Sequence, residues 1–203
     1  MAVVNDLSTK DRLIEAAISL IESEGESAVR VDQVVALAGF TKPVLYSHFT
    51  DKDDVIVQAQ ALRYRRSLEW PVGGMDELTA SSTTREEFEA RLAQIILGFD
   101  SPQSREQRRI RNEVVGSSVS RPALRVAVVS TNRGFVSWLV SMFERWKANG
   151  WIEPRFSLPD IAEWWAVQVH GRYVVEVDRD DRESSEWVAV TLSAGRHLLG
   201  LTP

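Results

Sequence analysis

The chain contains no cysteine. Disulfide bonds, cysteine-ligated zinc, iron–sulfur clusters and thiol catalysis are excluded at once, and the lack fits a reducing compartment. Histidine is scarce: His48, His170 and His197 are the only three, at spacings unlike those of a metal site. Gly116-Ser117-Ser118 does not form a G-x-S-x-G elbow, and no Gly-rich phosphate loop follows a strand. Paired acids at Glu86-Glu87 and Asp180-Asp181 fall on helix starts or charged loops. An enzyme would therefore lack catalytic candidates, and neither a metal nor a cofactor is expected. Long apolar runs are missing too. The longest obvious uncharged stretch, Gly134 to Phe143, falls well short of the ~18 residues of a membrane span. The opening MAVVNDLSTKDR has no basic-then-apolar signal pattern. The expectation is a cytoplasmic protein with no membrane partner.

What is present is enough for a large core. With 203 residues and 44% hydrophobic content, the chain can bury most of its unfolded surface without a metal or disulfide staple. The net charge of −5 argues against a non-specific coat on nucleic acid. Residues 1–52 hold five basic side chains (Lys10, Arg12, Arg30, Lys42, Lys52) against eight acidic ones. Any nucleic-acid binding must rest on the placement of a few charges.

Hydrophobic periodicity predicts helices throughout. Ser8 and Asp11 have capping-box spacing before Leu13, Ile14, Ala17, Ile18, Leu20 and Ile21, and Gly25 can end that helix. Short segments follow at Val31 to Ala38 and from Thr41, separated by Gly39. Thr50 and Asp53 are read as the cap of a long fourth helix, stopped by Trp70-Pro71 and Gly73-Gly74. Five more helices are expected: one capped by Thr83 with Glu86, one over Arg105–Val115, one from Pro122 to Lys147, one over Ile161–Val177 capped by Ser157 with Asp160, and one over Trp187–Leu199 after a charged loop at Arg179–Glu183. The predicted fold is all-α, about nine helices: an N-terminal three-helix unit over residues 1–52 and a larger helical bundle over 53–203.

Residues 30–52 carry the functional signal. Two short helices around Gly39 have the helix-turn-helix pattern, in which glycine supplies the positive φ of the turn. Leu45 can lock the second helix onto the first. That second helix then presents Pro43, Val44, Tyr46 and Ser47 outward, with Thr41 and Lys42 at its N-terminus, the end that a recognition helix inserts into the major groove. Phe49 reads as core, while Tyr46 lies about 100° around the helix from Leu45. A bare helix-turn-helix pattern also occurs in ordinary three-helix cores.

The run from Gly39 to Asp53, GFTKPVLYSHFTDKD, resembles the signature of the tetracycline-repressor (TetR) family of bacterial transcriptional regulators, and the amphipathic helices on either side extend that resemblance over about the first quarter of the chain. The resemblance implies binding to double-stranded operator DNA. It puts Lys42, Pro43, Val44, Tyr46 and Ser47 against bases or phosphates, and makes Tyr46, His48 and Lys52 phosphate contacts. Arg30 stands in place of a small hydroxyl residue at the start of helix 2, trading an N-cap for a phosphate contact. Asp32 stands where many relatives carry a basic residue.

The larger unit is expected to hold a small-molecule effector and to form a homodimer. Six of the seven tryptophans lie from Trp138 onward. With Phe88, Leu92, Phe135 and Met142, Trp138 is expected to line an apolar cavity between helices, and Asn112 or Asn132 to orient a ligand or bond a neighbouring helix. Arg63, Arg65 and Arg66 are read as complementing the C-terminal end of the fourth helix, and Arg105, Arg108, Arg109 and Arg111 as a solvated face. The last two long helices are apolar on two sides, so one side should meet a second copy. The residues assigned to that contact are Trp164, Gln168, Gly171, Val175, Trp187, Thr191, Ala194, Gly195 and Leu198. In relatives these two helices form a four-helix dimer bundle, where Gly171 and Gly195 would permit close approach. The function that emerges is a ligand-responsive transcriptional regulator, in its simplest form a repressor of an inverted-repeat operator.

Overall fold

The computed structural model describes residues 7–176 and 185–201. The helices are α1 (Thr9–Glu24), α2 (Val31–Ala38), α3 (Lys42–Tyr46), α4 (Lys52–Arg66), α5 (Glu69–Ser81), α6 (Arg85–Gly98), α7 (Pro102–Ser118), α8 (Pro122–Ala148), α9 (Leu158–Gly171), α10 (Tyr173–Glu176) and α11 (Ser185–Leu199), with a 3₁₀ turn at Glu26–Ala28 after α1. No strand occurs among the described residues.

Local chemistry sets most of the boundaries. Ser8 accepts from the Asp11 amide, and Gly25, at φ 83°, ends α1. Two caps sit one residue later than their sequence spacing suggested. Asp51, not Thr50, caps α4 by accepting from the Asp54 amide, while the Thr50 amide donates to the Asp54 carboxylate at 2.9 Å. Thr84, not Thr83, caps α6 in the same manner, with Glu87 reaching back to Thr83. Ser101 caps α7, which starts at Pro102 rather than Arg105, and Ser157 caps α9.

The largest departure from the sequence reading is α5, across Trp70-Pro71 and Gly73-Gly74. Pro71 is the third residue of this helix, in the first turn, where its missing N–H has no intrahelical partner to lose. Burial of Met75 and Leu78 anchors the helix despite its two glycines. The helix expected over Ile161–Val177 divides at Arg172 into α9 and α10. Val177 and the charged stretch Arg179–Glu183 lie outside the described residues.

Two cores form. The smaller one gathers α1 side chains such as Leu13, Ala17 and Ile18 with Val34, Leu45 and Phe49, and takes Val55, Ile56 and Ala59 from the first half of α4. The larger one begins with Tyr64 and Leu68 and runs through α5–α9 and α11. One rigid helix, α4, is thus shared between both. At the centre of the larger core stands α8, packed against α4, α5, α7 and α9. By length and composition α8 could cross a membrane, although Arg125 and Arg133 break its apolar sequence into shorter uncharged runs. In the bundle it buries Leu124, Val128, Phe135, Leu139, Met142, Phe143 and Trp146.

Candidate nucleic-acid interface and ligand cavity

Gly39 adopts the left-handed conformation, φ 75° and ψ 34°, that closes α2 and turns the chain into α3. The Phe40 amide donates to the Val35 carbonyl at 2.8 Å. Arg12, from α1, donates to the Ala38 carbonyl at 2.9 Å and lies 4.6 Å over the Phe40 ring, so α1 fastens the turn. Leu45 and Phe49 are buried, which fixes the opposite side of α3 outward. Thr41, Lys42, Pro43, Tyr46, Ser47 and His48 are exposed and Val44 is half-buried; Tyr46 keeps 52% of its surface in water.

Several of these groups are held by their own chain. Ser47 Oγ donates to the Val44 carbonyl at 2.7 Å. Arg30 donates to the carbonyls of Ser27 and Val29, and Lys52 Nζ donates to Val29 at 3.0 Å. Lys42 pairs with Asp32 of α2 at 2.7 Å, and that hydrogen bond and charge hold its ammonium above the usual lysine range. This contact had no sequence signal beyond Asp32 itself.

In the larger unit, Leu92, Phe135, Trp138 and Met142 line one small apolar cavity of about 20 Å³, together with Met75, Phe99 and side chains of α8 and α9. That is room for about one water. Phe88 is elsewhere: it packs between Trp146 and Trp151, with ring centroids 4.7 and 5.1 Å away. Asn112 is also elsewhere, its amide donating to the Arg108 carbonyl one turn back in α7. Asn132 accepts from the Tyr64 hydroxyl at 2.6 Å and so ties α8 to α4. Phe135 and Trp138 stack at 5.7 Å and form the wall shared by the cavity and an open groove of about 300 Å³ beside Arg65, Leu68 and Thr131.

The arginines of α7 correct the solvated-face reading. Arg108 and Arg111 are buried. Arg108 donates to the Phe99 carbonyl, while Arg111 donates to the carbonyls of Ser67 at 2.5 Å and Val169 at 2.9 Å. Carbonyls left over near helix ends accept from these guanidinium groups. Arg63 is likewise buried, facing Glu22 at 3.4 Å, Glu113 at 3.5 Å and Gln60 at 2.8 Å. Arg109 pairs with Glu106 and Glu113. At the junction of the two cores, Arg121 pairs with Glu26 at 2.6 Å and Asp53 at 2.7 Å. Burial pushes the Glu26 carboxyl up, but hydrogen bonds from Gln60 and Ser117 and the Arg121 charge outweigh it and hold it low.

Helices α9–α11 leave apolar side chains in water: Val167, Val174, Val175 and Val190 are exposed, and Trp164, Ala194 and Leu198 line an open depression with Val190, Ser193 and His197. Gln168 is half-buried and Gly171 exposed. Thr191 and Gly195 are different. They lie on the inner stripe of α11 with Val188 and Leu199, and Gly195 faces Trp165 of its own chain. Trp187 is covered by Arg172, whose guanidinium sits 3.9 Å from the ring centre.

Residues 13–59 match the model of the bacterial regulatory proteins of the tetR family. No curated protein matches the chain in sequence. The fold recurs over nearly the full length of solved structures. A protein from a Rhodococcus species assigned to the TetR family is 22% identical, with 94% of this chain and 98% of that one covered at a TM-score of 0.65. Another so assigned, from Mesorhizobium loti, is 15% identical, with 95% and 96% covered and a TM-score of 0.68. A protein from Saccharomonospora viridis assigned as a transcriptional regulator, in complex with choline, is 15% identical, with 93% and 95% covered and a TM-score of 0.64. Residues 13–59 thus match a helix-turn-helix segment of the tetR family of bacterial regulatory proteins, and the chain as a whole shares the fold of solved structures assigned to that family.

Proposed function

We propose that the protein is a homodimeric repressor that binds an inverted-repeat operator and is released by a small, mostly apolar effector. The observation that carries this reading is the α2–Gly39–α3 unit, with Leu45 and Phe49 inward and Thr41, Lys42, Pro43, Tyr46, Ser47 and His48 outward. Arg30, Val44 and Lys52 flank that face. Residues 1–52 are read as the DNA-binding unit and 53–203 as the effector and dimerisation unit, with α4 linking them.

The exposed apolar surface of α9 and α11 supports a dimer, because a patch of this kind favours burial against a partner. Trp164, Gln168, Gly171, Val175, Ala194 and Leu198 are the residues we assign to that contact. The cavity bounded by Leu92, Phe135, Trp138 and Met142 supports an apolar effector. At about 20 Å³ it must widen to admit a drug-sized ligand, and the groove behind Phe135 and Trp138 is the adjoining space. The Saccharomonospora viridis protein is solved with choline bound, which supports ligand binding by this architecture.

Selection of bound duplexes from a random DNA pool by the purified protein tests the reading. Enrichment of an inverted repeat is expected, with half-sites about one helical turn apart or a multiple of it. A pool that emerges unselected overturns it.

A further inference from the structure

Arg30, Lys42 and Lys52 are the three cations among the residues assigned to the DNA face, and all three are held by the chain itself. The partners differ in kind. Arg30 and Lys52 donate to backbone carbonyls of Ser27 and Val29, which are neutral, so the positive charge persists. Lys42 alone faces a carboxylate: its Nζ lies 2.7 Å from Asp32 Oδ1. The pair spans from the first turn of α2 to the first residue of α3. It is solvent-exposed, with Asp32 at 75% and Lys42 at 52% of their side-chain surface. An exposed ion pair adds little to folding stability, so stability does not account for it.

Resting on the DNA-binding function proposed above, we infer that Asp32 is a specificity-determining residue, which cancels the charge of Lys42 toward non-cognate DNA and releases it only at the operator. Non-specific binding is nearly all phosphate neutralisation: each lysine that meets a phosphate contributes about one unit to the salt slope. Residues 1–52 carry three more acidic than basic groups, so one lysine is a large share of what the face offers. On a random duplex, Lys42 gains a phosphate only by giving up a carboxylate that then faces the DNA polyanion, and the exchange is unrewarded. At the operator, base contacts by the rest of α3 hold the helix in the groove. Lys42 then stays within reach of a phosphate or a guanine edge, and that fixed contact replaces Asp32.

The test compares wild type, Asp32→Asn and Asp32→Asn/Lys42→Gln on the selected operator and on a random-sequence duplex, across a salt series. Asp32→Asn should bind the random duplex about tenfold more tightly at low salt, with a salt slope steeper by about one unit. Its operator affinity should rise less, so the operator-to-random ratio falls. In the double variant the steeper slope should vanish, because the released charge belongs to Lys42. A helix-terminal role for Asp32 would instead lower the melting temperature and weaken both duplexes in parallel, with the slope unmoved. That outcome overturns the inference, as does an unchanged slope with intact stability. If the wild type selects no sequence at all, the DNA-binding reading falls and the inference with it; wild-type selection with no change in Asp32→Asn removes the inference alone.

Discussion

Trp165 occupies the space that a side chain on Gly195 would need: a Cβ built on Gly195 would stand 2.5 Å from Trp165 Cζ2 and 2.9 Å from Cη2. Trp165 is only 3% exposed, and its ring has little room to retreat. Gly195→Ala should therefore destabilise the protein by about 1–3 kcal/mol, the usual cost of overpacking. Gly116→Ala, within α7, is the matched control. Nothing lies within 4 Å of a Cβ built there, so it should be neutral or slightly stabilising. Urea unfolding of the two variants decides it; equal effects would show that Trp165 does not require glycine.

The outer face of α11 gives the opposite expectation. Val190 is 66% exposed beside Trp164, Ala194 and Leu198. Val190→Glu should leave the helical circular dichroism and monomer fold unchanged while separating the dimer, because a carboxylate would be buried without a partner at the interface. Light scattering measures the mass. A dimer of unaltered affinity would move the contact off this surface.

Lys52 and Tyr46 should fail differently on DNA. Lys52 holds the start of α4 to the Val29 carbonyl, so Lys52→Ala should lose about 0.5–1.5 kcal/mol of stability and also flatten the salt slope by about one unit. Tyr46→Phe touches an exposed ring and should weaken binding several-fold at constant melting temperature. Gel shifts at several salt concentrations, set beside thermal melts, separate the two effects.

Arg121 joins the turn between α7 and α8 to both Glu26 and Asp53. Glu26 also receives hydrogen bonds from Gln60 at 2.6 Å and Ser117 at 2.7 Å. Arg121→Ala and Glu26→Gln should each destabilise the fold, and their double-mutant cycle should show a coupling of about 0.5–3 kcal/mol. Additive effects would mean that the pair does not join the two cores energetically.

Much of the architecture was legible in the sequence, for reasons of range. The Gly39 turn, the inward Leu45 and Phe49, and the capping residues are local and depend on residues within one or two turns. Even there Thr50 and Thr83 misled by one position, because each is followed by a residue equally able to cap. Helix α5 was hidden because proline and paired glycines read as a stop, whereas position within the first turn makes Pro71 harmless. Arg111 read as solvated because its carbonyl partners on Ser67 and Val169 lie 44 and 58 residues away. Gly195 read as an interface residue because periodicity identifies two apolar stripes on α11 without saying which one faces Trp165. Asn112 and Phe88 fell outside the cavity for the same reason: periodicity places them on apolar stretches, and only packing decides what each one meets.

His170 gives the fold a pH dependence. Its Nδ1 lies 2.7 Å from the Ala166 carbonyl, so that nitrogen carries the proton in the neutral ring and Nε2 is left as an acceptor. Nε2 is buried and has no hydrogen-bond partner. The rings of Tyr64 and Phe135 flank the imidazole at 6.4 and 5.9 Å, and burial, with the nearby charge of Arg111 behind it, pushes its pKa down to about 4 from 6.5. Between those two values the unfolded chain binds a proton that the folded one refuses. Stability from the neutral ring is thus complete above pH 6.5 and declines as the pH falls toward 4. The full loss corresponds to about 3 kcal/mol, with about 2 kcal/mol gone between pH 7 and pH 5. His170→Phe keeps an aromatic ring among its neighbours and removes the titration. Carboxylates held low in the folded state, such as Glu26 and Asp54, add their own acid sensitivity, chiefly nearer their unfolded values. The decisive quantity is therefore the difference between wild type and variant from pH 7 to pH 5, read by urea unfolding. The wild type should lose the larger amount by about 2 kcal/mol; parallel losses in the two proteins would show that His170 takes up its proton in the folded state as readily as in the unfolded one.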